Sequence, residues 1–403
     1  MQPVIDILTG QFAEHLTDKI TIGIIFRVLL IAVIITYLFK YFSQNQLNML
    51  GLFLTTLLLC LVTFLTNLAM KKQFYFFQEV QFLFKTFYFI CITFMTYALI
   101  KQQTMTRAFI LHTTQIVAVI VSASYWIALV TNTSMASYSY NSAGYSGWFF
   151  ATNELSVTII ILCGLTIAYL DNHFNQLSAW VAFISILFIS PMIGTKTAFL
   201  GCIIVLFIYT FSSLIWKKGY NRIKLLIVTI IYCIVLPFTP IVTNLTNDYS
   251  PDTTYKRLKT PEDAKHLPNS LQRLLSSRNH YFVDTYIDYT EAHPVRKIFG
   301  LGFAGDYEKD PKTIEMDFFD LFFSYGLLGT IFLLIPLLLI IVQIIVQLKN
   351  EGISLQNITL TLVFFLSLAI GFIAGHVIFA PSVISYVMLA VLAIGLKKDW
   401  RTN

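Results

Sequence analysis

The chain has 403 residues, 57% of them apolar and only 12% charged, with a mean hydropathy of +0.72. A soluble protein carries about 25% charged residues, so a soluble enzyme is excluded. Disorder is excluded as well, because it requires low hydrophobicity and high net charge. The 48 charges (27 Lys and Arg, 21 Asp and Glu) are unevenly distributed. Thr243–Met316, 74 residues, holds 21 of them, 10 basic and 11 acidic. A soluble segment is therefore inserted into a membrane protein at that point.

The first twenty residues lack a basic n-region and a small-residue cleavage site, so no signal peptide is expected. Their apolar spacing predicts an interfacial amphipathic helix. A membrane-crossing helix needs about 20 mainly apolar residues. Such stretches occur at Ile20–Phe39, Leu47–Ala69, Phe76–Ile100, Ala108–Val130, Phe150–Leu170, Leu177–Ile193, Thr197–Trp216 and Ile223–Val242. Three more follow the charged segment, at Phe318–Leu348, Leu355–Phe379 and Val383–Leu396. The expectation is an all-α polytopic membrane protein with about 11 (10–12) transmembrane helices and one large extracytoplasmic loop. The chain then divides into N-terminal helices over 1–242, the loop over 243–316 and C-terminal helices over 317–403.

Orientation follows from Lys and Arg in short loops. Lys101 with Arg107, the Lys217, Lys218, Arg222 and Lys224 cluster, and Lys397, Lys398 and Arg401 all fall on one side, which is then cytoplasmic. The large loop faces outward, as does Thr131–Trp148, which has no Lys or Arg. Lys71 and Lys72 run against this scheme. The net charge of +6 needs no nucleic-acid partner, since positive-inside bias accounts for it. All five cysteines lie in apolar spans, and no Cys/His spacing indicates a metal.

Charged residues in or at the ends of spans are candidates for function. Arg27, Lys85, His112 and His376 lie within spans, although Arg and Lys also snorkel. Asn153 and Glu154 open the fifth span, and Lys196 opens the seventh in IGTKTAFLG. Glu315, Asp317 and Asp320 precede the ninth, with Asp317 and Asp320 on one helix face. In the loop, Leu271, Leu274, Leu275, Phe282, Tyr286 and Tyr289 recur at helical spacing and His293–Pro294 ends the helix. Arg273 and Arg278 lie on this stretch, and a guanidinium suits phosphate because its planar fork binds two oxygens. Gly300, Gly302 and Gly305 match GxGxxG, but without a βαβ unit they read as a glycine-rich turn.

Four segments together resemble the O-antigen ligase and Wzy-type polysaccharide polymerase superfamily, in its Gram-positive form. They are GWFFATNELS, IGTKTAFLG, SSRNHYFVDTYIDY with RKIFGLGFAG, and IEMDFFDLFFSYGLLG. The resemblance implies a GT-C-like helical fold in a bacterial cytoplasmic membrane. It further implies polymerisation of a cell-surface glycan from a polyprenyl-diphosphate donor, alongside a flippase and a chain-length regulator and without a cofactor. By position it assigns Lys196 and Arg278 to the diphosphate. Where many members carry a His–Asn pair, with the His as base, this chain has Glu315 and Met316. Glu315 or Asp317 is then the expected base, while Asn153, Glu154, Trp148, Arg273 and Tyr281 are expected to contact glycan. The rivals are a ligase of the same family, a transporter, and a non-catalytic assembly or sensor protein. A transporter favours internal repeats and mid-membrane broken helices; the two halves show no repeat, and the charges gather at one face.

Overall fold

The computed structural model describes residues 2–11, 22–137, 143–216, 220–246, 278–307 and 311–397. A short helix, α1 (Gln2–Gln11), precedes a series of apolar helices. These are α2 (Ile22–Asn45), α3 (Leu47–Met70), α4 (Phe76–Gln102), α5 (Arg107–Val130), α6 (Thr152–Asn172), α7 (Leu177–Ile193), α8 (Lys196–Trp216) and α9 (Tyr220–Val235). After α10 (Pro240–Thr246), the charged segment contributes α11 (Arg278–Glu291) and α12 (Pro294–Phe299). The chain continues with α13 (Asp317–Glu351), α14 (Leu355–Ile373) and α15 (Pro381–Gly395). The strands described are β1 (Met135–Ala136) and β2 (Tyr145–Gly147), paired antiparallel between α5 and α6.

Eight of these helices are long and apolar enough to cross a membrane, and α7, α9 and α15 are shorter apolar helices. All eleven fall where the composition predicts spans. Their ends alternate between two faces, one of which carries α11 and α12. On this loop face, Thr63 and Asn67 near the end of α3 bond the Phe299 and Gly300 carbonyls, and Asn244 bonds the Gly194 carbonyl. On the opposite face, Arg107 donates its amide to Lys397 and its Nη2 to Glu351 at 2.7 Å. Lys101, Arg107 and Lys397 therefore share one end, as the charge distribution requires. Lys217, Lys218, Lys398 and Arg401 lie outside the described residues.

Helix α6 is the centre of the bundle, with every residue from Leu155 to Leu170 buried. That run is apolar on all sides because neighbours surround it. By contrast, α2, α3 and α13 bury less than a third of their apolar windows within the protein and leave the rest for lipid.

Two predicted spans end early. Pro237 and Pro240 remove helical N–H donors, so α9 gives way to a 3-10 turn (Leu236–Phe238) and then α10. The stretch Leu355–Phe379 stops being helical at Ile373. There Gly375 and His376 adopt φ values of 66° and 62°, and the chain turns back toward α15. His376 is thus a turn residue on the loop face and not part of a span.

Candidate functional site

The site is built by two carboxylates at the start of α13. Asp317 and Asp320 are three residues apart and only 3% and 5% exposed. The oxygens of Asp317 accept from the backbone N–H groups of His376 (3.1 Å), Val377 (2.7 Å) and Ile378 (2.7 Å). Those of Asp320 accept from Ile314 (2.8 Å) and Met316 (3.1 Å). Charge-assisted bonds of this kind are stronger than neutral ones. One helical turn therefore grips two chain segments about sixty residues apart.

Each gripped segment carries a side chain that faces the other. Glu315 and His376 both sit in the left-handed region, at φ 63° and 62°, which costs a non-glycine residue about 1–2 kcal/mol. His376 Nε2 is 3.7 Å from Glu315 Oε2, and Asn153 Nδ2 of α6 is 3.2 Å from the same ring nitrogen. Arg278 Nη2 donates to Glu315 Oε2 at 3.4 Å, and Lys312 Nζ lies 3.5 Å from Oε1. Lys312 in turn stands over the Tyr281 ring at 4.9 Å, a cation–π arrangement.

Partial burial pushes the Glu315 carboxyl upward. The His376 hydrogen bond and the charges of Lys312, His376 and Arg278 outweigh it and bring the group down to about 2. Glu315 is therefore ionised at any physiological pH. Arg278 has an 11% exposed side chain, and its Nε is buried with no hydrogen-bond partner among the described residues. The guanidinium thus has donor capacity beyond its bond to Glu315.

Among the residues predicted from sequence, Glu315, Arg278, Asn153 and Tyr281 come together here. Asp317 adjoins them, but its oxygens point to backbone amides. Lys196 is at the N-terminus of α8 on the same face. Neighbouring Thr195 bonds Ser156 of α6 at 2.7 Å, one turn below Asn153. Lys196 is exposed, and no carboxylate among the described residues lies within 4 Å of it. Glu154 turns to the Ser382 hydroxyl of α15, joining the starts of α6 and α15. Trp148 is half-buried, donates to Thr133 at 2.9 Å, and its carbonyl lies against Gly10 of α1. Arg273 lies outside the described residues.

Sequence reasoning missed Lys312 altogether and read His376 as a residue inside a span. The available signal was the Gly375–His376 pair followed by Pro381, a polar break in an apolar run.

A multi-helix membrane bundle with a charged, strained centre at one end is a polytopic membrane protein built around a polar site. The chain belongs to the O-antigen ligase like membrane protein family, whose family model matches residues 1–265 and 252–399. This membership places it among membrane glycan-transfer enzymes. Neither a curated protein nor a solved structure matched the chain.

Proposed function

We propose that the protein is a polysaccharide polymerase that moves glycan from a polyprenyl-diphosphate donor onto a growing chain. It works on the loop face, which is the outer face of the bacterial cytoplasmic membrane. The observation that carries this is the Arg278–Glu315–His376–Asn153 centre, assembled from four separate segments at the membrane boundary.

The reaction has three needs. The acceptor hydroxyl must lose a proton as its oxygen attacks the anomeric carbon, and a base with a pKa near the working pH does this best. Glu315, held near 2, is too weak a base. Asp317 is committed to three amides. His376 remains, with a partly exposed ring. The Glu315 carboxylate faces Nε2 and favours a proton there, with the Asn153 amide turned so that its oxygen meets that N–H, which leaves Nδ1 to accept the hydroxyl proton. Glu315 then acts through His376 as a positioning residue, and the family's base histidine is supplied from a different place in the chain.

Next, the bond between the anomeric carbon and phosphate oxygen breaks, and its electron pair leaves on the polyprenyl diphosphate. Arg278 and Lys196 stabilise that charge, as do the α6 and α8 N-termini on this face. Finally, donor and acceptor must be held together; Asn153, Tyr281 and the loop helices surround the centre. Direct displacement inverts the anomeric configuration.

Reconstitution with a lipid-linked repeat unit tests the proposal. Wild-type protein should lengthen the glycan, and Arg278→Ala and His376→Ala should each lower kcat by about a hundredfold or more. Glu315→Gln should retain more activity than His376→Ala. Equal loss in these two would return the base role to Glu315. Full activity in Arg278→Ala would sink the diphosphate role. Transfer only to a different acceptor would identify a ligase.

A further inference from the structure

A cavity of about 610 Å3 opens on the loop face between the end of α3 and helix α11, with no part in the centre described above. Lys72, Gln73, Asp284, Glu291, Arg296 and Tyr307 line it. Helix α11 connects the two places. Its first residue, Arg278, reaches Glu315, while Asp284 and Glu291, six and thirteen residues further on, face the cavity. At 1.5 Å per residue, the cavity wall runs from about 9 to about 20 Å beyond Arg278.

The wall is preorganised. Arg296 forms a two-pronged pair with Asp306, both bonds 2.8 Å, and also donates to Asn67 Oδ1 at 3.2 and 3.3 Å. Asp288 accepts the Asp306 amide at 3.1 Å. These bonds fix the back of the cavity and leave Lys72, Gln73 and Glu291 exposed at its rim.

The lining chemistry selects a ligand. A phosphate would meet Asp284, Asp288 and Glu291 as like charges. A metal ion would need convergent ligands, and no group of three His, Cys, Asp or Glu among the described residues provides them. A neutral polyhydroxylated molecule satisfies both signs, because its hydroxyls donate to carboxylates and accept from Arg and Lys.

We infer that this cavity is a second carbohydrate subsite, which holds distal sugars of the glycan while its reactive end lies at Arg278, Glu315 and His376. The inference rests on the glycan-transfer function proposed above. A chain held at a second point stays at high effective concentration between additions, so the subsite governs how many units are added before release.

The test uses the full-length protein in lipid nanodiscs with Gln73→Trp, Glu291→Trp and Glu291→Ala, all at exposed rim positions outside the centre. The probe is lipid-free oligosaccharide of several repeat units, cut from the polysaccharide of the source cell. Ligand-observed NMR should show it binding the wild type, with affinity falling about tenfold in each Trp variant. Product length should shorten at least about twofold while the rate of a single addition stays unchanged. Glu291→Ala, which only removes a carboxylate, should shift both readouts in the same direction and covers a Trp variant that fails to fold.

Unchanged binding and unchanged length in the variants would overturn the subsite. So would displacement of the oligosaccharide by inorganic phosphate or a divalent cation. If the wild type transfers no glycan, the proposed function fails, yet binding lost in the rim variants would still place carbohydrate in the cavity.

Discussion

Glu315 has Arg278, Lys312 and His376 within 4 Å of its carboxylate, and this surrounding charge makes it a fixed anion. Its pKa in the folded protein, about 2, is below the ordinary 4.5. A carboxylate shifted in this direction stabilises the fold fully above its unfolded pKa, and the contribution disappears as the pH falls through the folded one. Glu315→Gln should therefore lower the melting temperature of detergent-solubilised protein at neutral pH. The gap to wild type should close as the pH falls from 4.5 toward 2. A gap that stays constant over that window would show that Glu315 is not held by charge. Residue identity alone could place Glu315, Arg278 and Asn153 at one membrane face. It could not show that Asp317 grips the His376 turn, since that contact joins residues on opposite sides of a helical hairpin.

Helix α13 is really two helices. At Gly326, φ 63° and ψ −168° interrupt it, and the carbonyls of Phe323 and Ser324 are freed to accept from Leu301 and Gly302 at 2.8 and 3.0 Å. The glycine-rich turn after α12 thus docks into a break in the next span, and the GxGxxG match is explained by backbone geometry without any nucleotide. A Cβ at Gly300 would stand 2.1 Å from the Ser324 carbonyl oxygen, and one at Gly326 would be 2.5 Å from that of Ile298. Gly300→Ala and Gly326→Ala should each cost about 2–3 kcal/mol or more, seen as a lower melting temperature together with lost glycan transfer. Gly51→Ala, in α3 with no neighbour within 4 Å, should be neutral or stabilising by about 0.5–1 kcal/mol. Comparable damage at Gly51 would mean that helical glycines matter here for some other reason. The spans were legible because hydrophobic length is a local property. The break was not, because it depends on carbonyls taken by a turn more than twenty residues earlier.

Across the whole molecule, packing accounts for one of the two lysines that opposed the predicted orientation. Lys71 is buried against Glu79 at 2.5 Å and donates to the Phe303 carbonyl at 2.8 Å, while Glu79 also accepts the Phe303 amide at 2.9 Å. Burial pushes the Lys71 ammonium below its ordinary pKa, against the pull of Glu79. Paired in this way, Lys71 carries little weight as an orientation signal and fastens the loop to the bundle. Removing one partner of a buried pair costs about 3–5 kcal/mol, whereas replacing both costs far less. Lys71→Met should therefore destabilise strongly in a detergent melt, and Lys71→Met with Glu79→Gln should recover much of the loss. Additive losses would show that the two residues act separately. Lys72, one residue on, lines the cavity beside α11, so adjacent lysines that look alike in sequence have different surroundings. The distribution of the centre over α6, α11, the start of α13 and the turn after α14 also bears on how the enzyme is made. During synthesis, Asn153, Arg278 and Glu315 reach the membrane well before His376. A partly inserted chain therefore holds an anion and a cation but not the histidine proposed as proton acceptor. The centre is complete only when α14 has threaded and its turn has been caught by Asp317, so under the proposed function the order of membrane insertion itself keeps an unfinished molecule from consuming its glycan donor.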